Sequence, residues 1–316
     1  MEDSIKSNKS LLNSFPLINS GTKLARKIIN DVEVPLQIKH GSPDARLLAE
    51  VVLLSGFSAF DGGGISHNIP FSKSISLKDS LENWKYVDRL VGIYEENGIK
   101  INREIFSPLT ATLVPPAISN SIQILETLLA VEQGVKNISI GVAQYGNITQ
   151  DIASLLALKE HIQFYLLDTF SFKDINISTV FNQWIGGFPE EELKAYSLIS
   201  YSTTIALFSK TNRIFVKNID EYAKNSLGNT MINSLLLTKT ILDIGNLPFC
   251  PLIEEFHNKK IKERAKKNRE INFQMTIDDI FAMSQGKLAK KAVNKNFHDF
   301  FISYLVFLIF LNHQQL

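Results

Sequence analysis

The middle of the chain repeats one pattern of apolar and polar positions. "SLKDSLENWKYVDRLVGIYEENG" opens with Ser76 followed three residues on by Asp79, a helix-capping signal. Leu77, Leu81, Trp84, Leu90 and Val91 then recur at helical spacing, and Gly98 closes the segment. "IKINREIF" follows, alternating like a strand. The next unit runs "SNSIQILETLLAVEQG", a helix closed by Gly134, then "VKNISIGVAQYG", a strand. "NITQDIASLLALKEHI" reads as a helix, and "INISTVFNQWIGGFP" as a strand running into glycines. Earlier, "VEVPLQIKHG" and "AEVVLLSGFSAFDGGG" read as strands ending in glycine. Helices alternating with strands predict parallel βαβ units. "VEVPLQIK", "VVLLSGF", "INREIF", "NISIGVA", "INISTVF" and "NRIFVK" are the six predicted strands. Polar and glycine-rich residues follow their C-terminal ends, where a parallel barrel or a doubly wound sheet places its site. Periodicity alone does not separate the two. No GxGxxG follows the first strand, which argues against a dinucleotide fold.

Composition narrows the class. Of 316 residues, 45% are hydrophobic and 21% charged, with a net charge of +1, so the chain is globular with ample core. That balance gives no reason to expect a nucleic-acid partner. The basic run "NKKIKERAKKNR" (258–269) reads as a solvated helix face. Cys250 is alone, so neither a disulfide framework nor a cysteine-based zinc site is expected, which suits a reducing cytosol. The polar start "MEDSIKSNKS" lacks the apolar core of a signal peptide. "FFISYLVFLIFL" (300–311) falls short of the roughly 20 residues that span a membrane. It reads as a packed terminal helix or strand. A membrane-surface or partner-binding segment, or an aberrant tail after a shifted stop codon, are the alternatives. Residues 1–290 are expected to form one α/β domain and 291–316 an extra apolar tail.

"FSAFDGGGISHNIPFSK" (57–73) poses a question, because three successive side chains are missing at a strand end. Glycine permits positive φ and close approach to the backbone. A flat or bulky ligand on the rim would explain the run, and so would a plain tight turn. No Lys-Ser/Thr follows, so it is not a P-loop.

Seven segments, in order, carry a resemblance: "LLNSFPLINSGTKLARKII", "VPLQIKHGSPDARLLAE", "DGGGISHNIPFSK", "NREIFSPLTATLVPP", "EQGVKNISIGVAQYGNITQDIA", "TVFNQWIGGFP" and "INFQMTIDDIFAMSQGKL". Together they resemble the catalytic (epsilon) subunit of glutamate mutase, also called methylaspartate mutase. The resemblance runs from about Ser10 to Thr238, resumes at "IGNLPF" and ends near Leu288. It implies an α/β fold of the TIM-type (β/α)₈ barrel family. It also implies an isomerase that interconverts L-glutamate and L-threo-3-methylaspartate by a radical rearrangement. The implied cofactor is adenosylcobalamin, held mainly by a small sigma-type partner subunit through a DxHxxG motif that this chain lacks. The cofactor carries the hard chemistry, and the protein supplies orientation and a dry enclosure. No metal is implied for this chain itself.

The resemblance places the loop from Asp61 to Pro70 at the barrel mouth. Gly62, Gly63 and Gly64 would let the backbone approach the cofactor, and Pro70 would touch it. Asn13, Phe188, Lys217 and Glu221 also fall on cofactor positions of the family. The substrate positions are Lys39, Asp61, His67 and Phe71, with Lys39 and Asp61 the expected catalytic pair. All four depart from the family pattern, which has arginine, glutamate and two tyrosines there. Lysine is a point charge where arginine is a planar fork. Asp61 is one methylene shorter, Phe71 has lost a hydroxyl, and His67 could titrate near neutrality. The family also has an N-terminal stretch with the first two strands and two more arginines, and a further stretch between Thr238 and "ILDIGNLPF". Neither has a counterpart here, so an incomplete barrel is expected, with "VEVPLQIK" at its edge. Two readings follow. One is a diverged catalytic subunit, completed by a separate polypeptide carrying the missing strands or acting on another small amino acid. The other is a non-catalytic remnant that acts only as a binding partner.

Overall fold

The structure is a computed structural model that describes residues 16–72, 74–106, 108–109, 114–220, 228–245 and 259. Helix α1 (Leu17–Asp31) leads to strand β1 (Gln37–Ile38). Then come α2 (Arg46–Ser55), β2 (Ala59–Asp61), α3 (Leu77–Glu96) and β3 (Asn102–Phe106). They are followed by α4 (Pro116–Glu132), β4 (Asn137–Ala143), α5 (Ile148–Gln163) and β5 (Asn176–Asn182). The last are α6 (Glu192–Phe208), β6 (Arg213–Phe215) and α7 (Gly228–Gly245).

The six strands form one parallel sheet in the order β1-β2-β3-β4-β5-β6. Strand order never reverses, so there is no switch point of the doubly wound kind. The sheet is curled. Neighbouring strands lie about 4.8 Å apart, so flat edges would stand roughly 24 Å from each other. Yet Arg213 of β6 donates to Gln37 Oε1 of β1 at 3.0 Å. The architecture is an incomplete TIM-type barrel with β1 and β6 at its edges, as the helix–glycine–strand repeats and the family resemblance together predict.

Alternation along each strand sorts side chains to two faces. Ile105, Ile138, Ile140, Val142 and Phe181 point outward and are buried against the helices. Leu128 and Val131 of α4 and Ile152, Leu155 and Leu158 of α5 cover them. A second cluster joins Ala25 of α1, Ala49 and Val52 of α2, Phe60 of β2, and Trp84 and Val87 of α3. Among these apolar groups Arg103 is fully buried. Its Nε donates to Asp88 at 2.7 Å, and its guanidinium lies 4.5 Å from the Trp84 ring centroid.

The predicted caps are present. Ser76 Oγ accepts the Asp79 N–H at 3.1 Å, and Gly98 and Gly134 adopt positive φ at the ends of α3 and α4. One predicted strand is corrected. "VVLLSGF" (51–57) lies mostly in helix α2, and the strand begins later, at Ala59. The run reads as a buried strand because it is apolar throughout. In the helix Leu47 and Leu54 face solvent, while Ala49, Val52 and Leu53 are buried. Gly56, at φ 99°, stops the helix and turns the chain into β2. The break in the resemblance after Thr238 falls inside α7, which continues through it. The basic run (Lys259 excepted), the apolar tail, Asn13 and Glu221 lie outside the described residues. No helix among the described residues is long and apolar enough to cross a membrane.

Candidate active site

The concave face of the sheet is polar where its convex face is apolar. Asp61 of β2 stands in register with Glu104 of β3, and both carboxylates are buried. Lys39, just past β1, reaches between them. Its Nζ is 3.0 Å from Glu104 Oε1 and 3.4 Å from Asp61 Oδ2. The same ammonium lies over two aromatic rings, 4.8 Å from the Phe106 centroid and 4.6 Å from that of Phe215. Burial alone would lower the Lys39 pKa, but Asp61 and Glu104 outweigh it and the net shift is upward. Burial pushes Asp61 the other way, up to about 7, against the pull of Lys39, and Glu104 adds to the rise. Asp61 Oδ1 has no hydrogen-bond partner. Glu104 also accepts from Gln37 Nε2 at 2.8 Å and forms an ion pair with Arg213.

The glycine run is filled by the chain itself. A Cβ on Gly62, which sits at φ 132°, would stand 2.2 Å from the Trp84 ring. One on Gly63 would stand 2.2 Å from Glu126 Oε1, and one on Gly64 would stand 3.2 Å from Leu81 Cα. Glu126, on α4, needs that room. Its Oε1 accepts the backbone N–H groups of Ile65 at 2.7 Å and Ser66 at 2.9 Å, and the Ser66 hydroxyl at 3.1 Å. One carboxylate thus closes the loop's exposed donors, as an N-cap side chain does for a helix. Burial raises the Glu126 pKa to about 7 despite these donors. From α3, Ser80 Oγ donates to Gly64 O at 2.7 Å.

His67 is part of this packing. It is 1% exposed, and its ring lies 5.5 Å from His40 and 6.0 Å from Trp84, centroid to centroid. Burial, reinforced by His40 and Arg103, pushes its pKa well below the ordinary value. It is neutral at pH 7, which corrects the expectation of titration near neutrality. Its Nδ1 is 3.1 Å from Ser66 Oγ. Pro70 and Phe71 project at the end of the loop, Phe71 being 51% exposed.

Phe188 lies on the far side of the strand ends. It lines an open pocket of about 560 Å³ with Gln144, Tyr145, Trp184, Leu198 and Tyr201, at the exits of β4 and β5. Lys217, past β6, is buried. Its backbone N–H donates to Gln183 Oε1 at 2.9 Å, and its Nζ lies 5.2 Å from the Phe215 centroid. Phe215 therefore contacts both Lys39 and Lys217. Lys39 and Asp61 meet directly, the Phe71 ring lies 5.7 Å from that of His67, centroid to centroid, and Phe188 stands apart on the rim. Sequence reasoning missed Glu104, Arg213, Glu126 and Phe215.

A parallel, singly wound α/β barrel with charged groups gathered at its strand ends defines a class of enzymes whose site lies at that face. Within it, the chain belongs to the methylaspartate mutase E chain (MutE) family, which it matches over residues 1–244 and 239–292. It is similar to the glutamate mutase epsilon subunit of Fusobacterium nucleatum, 76% identical over 372 aligned residues. That alignment covers 92% of this chain and 76% of the relative. The glutamate mutase epsilon subunit of Desulfitobacterium hafniense is 37% identical over 361 residues, covering 89% of this chain and 74% of the relative. That of Escherichia coli O157:H7 is 41% identical over 297 residues, covering 93% and 60%.

Proposed function

We propose that this chain is the catalytic subunit of a glutamate/methylaspartate mutase, an isomerase that works with a separate cobalamin-binding subunit. Family membership supports the reaction class. The observation that carries the site is the convergence of Lys39 and Asp61, two residues on the family's substrate positions, in one charged interior. Lys39 would hold a substrate carboxylate. Asp61 would accept from the substrate ammonium through Oδ1, which has no other partner.

The residues present fit adenosylcobalamin in part. A wide pocket walled by Tyr145, Trp184, Phe188 and Tyr201, with the Gln144 amide nitrogen lacking a partner, suits a flat group with a few polar edges. Phe188 and Lys217 would hold its adenosyl side. The backbone of the loop from Gly62 to Pro70 would form the opposing wall, its shape set by Glu126. When bound, the cofactor supplies the radical chemistry, and the chain orients the substrate and keeps water out. A small sigma-type subunit would supply the corrin-binding histidine.

The test is co-expression with the cobalamin-binding subunit, followed by assay of glutamate–methylaspartate interconversion. It is run with and without the segments of the F. nucleatum relative that have no counterpart here. Turnover is expected with those segments added, and little without them. Restoring Lys39→Arg with Phe71→Tyr should raise the rate only in their presence. No turnover in any combination would overturn the proposal.

A further inference from the structure

We propose that Arg213 is a second carboxylate-binding residue of this site, with Glu104 holding its place when no substrate is bound. The inference rests on the substrate reading above and names which acids the site selects. A dicarboxylic amino acid carries two carboxylates, and Lys39 is one cation. The inward face of β6 supplies another. Arg213 and Phe215 alternate onto the side of the sheet that holds Lys39. The Arg213 guanidinium spends one arm on Glu104 and the other on the neutral amide of Gln37, at 3.0 Å.

Exposure separates the partners. The Arg213 side chain is 43% exposed and that of Lys39 29%, while Glu104 and Asp61 are 2% and 3% exposed. The acids are fixed in the wall, and the cations face the open side. Glu104 is also oversupplied, because Lys39, Gln37 and Arg213 all converge on it. Lys39 and Gln37 would still satisfy it if Arg213 swung to a ligand. Asp61 Oδ1 is buried without a partner, so the wall holds an acceptor ready for an ammonium. An acceptor beside Lys39, with a second accessible cation on the other side of Glu104, matches a zwitterion with a second carboxylate. Arginine's planar fork binds such a group through two parallel hydrogen bonds, which the Gln37 amide cannot match.

The test uses the chain assembled with its cobalamin-binding subunit, and calorimetric titration with L-glutamate and with L-glutamine. Wild type is expected to prefer glutamate. Arg213→Gln should weaken glutamate binding about tenfold to a hundredfold and leave glutamine binding nearly unchanged, collapsing the preference. Arg213→Lys keeps a charge against Glu104 and covers the case in which the first variant does not fold. It should lose part of the preference. A purely structural Arg213 would shift both ligands together or only the unfolding midpoint. An unchanged glutamate-to-glutamine ratio in a folded variant overturns this inference and leaves the proposed function standing. A wild type that binds neither ligand overturns this inference as well, and the turnover assay with the added segments then decides the proposed function separately.

Discussion

The loop leaving β2 holds Gly62, Gly63 and Gly64, and the loop leaving β5 holds Gly186 and Gly187. In the first, Trp84, Glu126 and Leu81 of the flanking helices stand where the three side chains would be. In the second, a Cβ on Gly186 would stand 2.7 Å from the Trp184 ring of the same loop, but nothing lies within 4 Å of one placed on Gly187, and beside it opens the pocket lined by Phe188. The same residue type thus answers two demands. Around β2 it lets a carboxylate and an indole press on the backbone, giving a rigid wall. Past β5, Gly187 leaves space at the rim. A glycine run marks close approach, but whether by the chain's own side chains or by something else depends on the helices behind it.

Substitutions test how far the two loops differ. Gly63→Ala should have the largest effect. The methyl group would displace Glu126 or the loop, combining overpacking with the loss of hydrogen bonds to a carboxylate, for about 3–5 kcal/mol of stability. A urea midpoint close to wild type would show that the loop can yield. Glu126→Gln tests the anchor through pH. The Glu126 pKa rises from 4.5 unfolded to about 7 folded, so the folded state binds more protons in that interval. Its contribution is therefore fully present below about 4.5 and is lost as pH rises through 7. The variant lacks this dependence. Between pH 5 and 8, wild type should lose about 2 kcal/mol more than Glu126→Gln in urea titrations. Asp61 and Asp151 shift in the same direction while His40 and His67 shift oppositely, so the difference between the two proteins, not either slope alone, reports Glu126.

Ser80→Ala removes the donor to Gly64 O and should cost about 1 kcal/mol, read from the thermal midpoint. The smallest effect is expected in the other loop. Gly187→Ala adds a methyl group to open space at an ordinary φ and should change stability by less than about 0.5 kcal/mol. A large loss there would mean that the open loop is also packed.

Much of the frame was legible because it rests on short-range patterns. Capping at Ser76 and the alternation of "NISIGVA" are local, and both elements appear where expected. "VVLLSGF" misled because an unbroken apolar run fits a buried strand and a helix equally, and only the exposure of Leu47 and Leu54 separates them. Lys39 and Asp61 were identified through the family pattern. Glu104 and Arg213 lie 109 residues apart, and nothing near either one signals the other. A faint signal existed, since period-two alternation puts Arg213, Phe215 and Lys217 on one face of the strand, and Lys217 had been singled out. Glu126 was hidden in a helix whose other residues read as core.

Every strand pairing in the sheet joins neighbours in the chain, whereas the Arg213–Gln37 hydrogen bond spans 176 residues. Closing so long a loop before the units between have stacked is entropically unfavourable, so this contact belongs to the end of folding. A molecule caught earlier would have β3, β4 and β5 and their apolar core in place, but its two cations apart. Competence to bind should therefore lag behind secondary structure. In a refolding time course, the far-ultraviolet dichroism should recover before the glutamate site does.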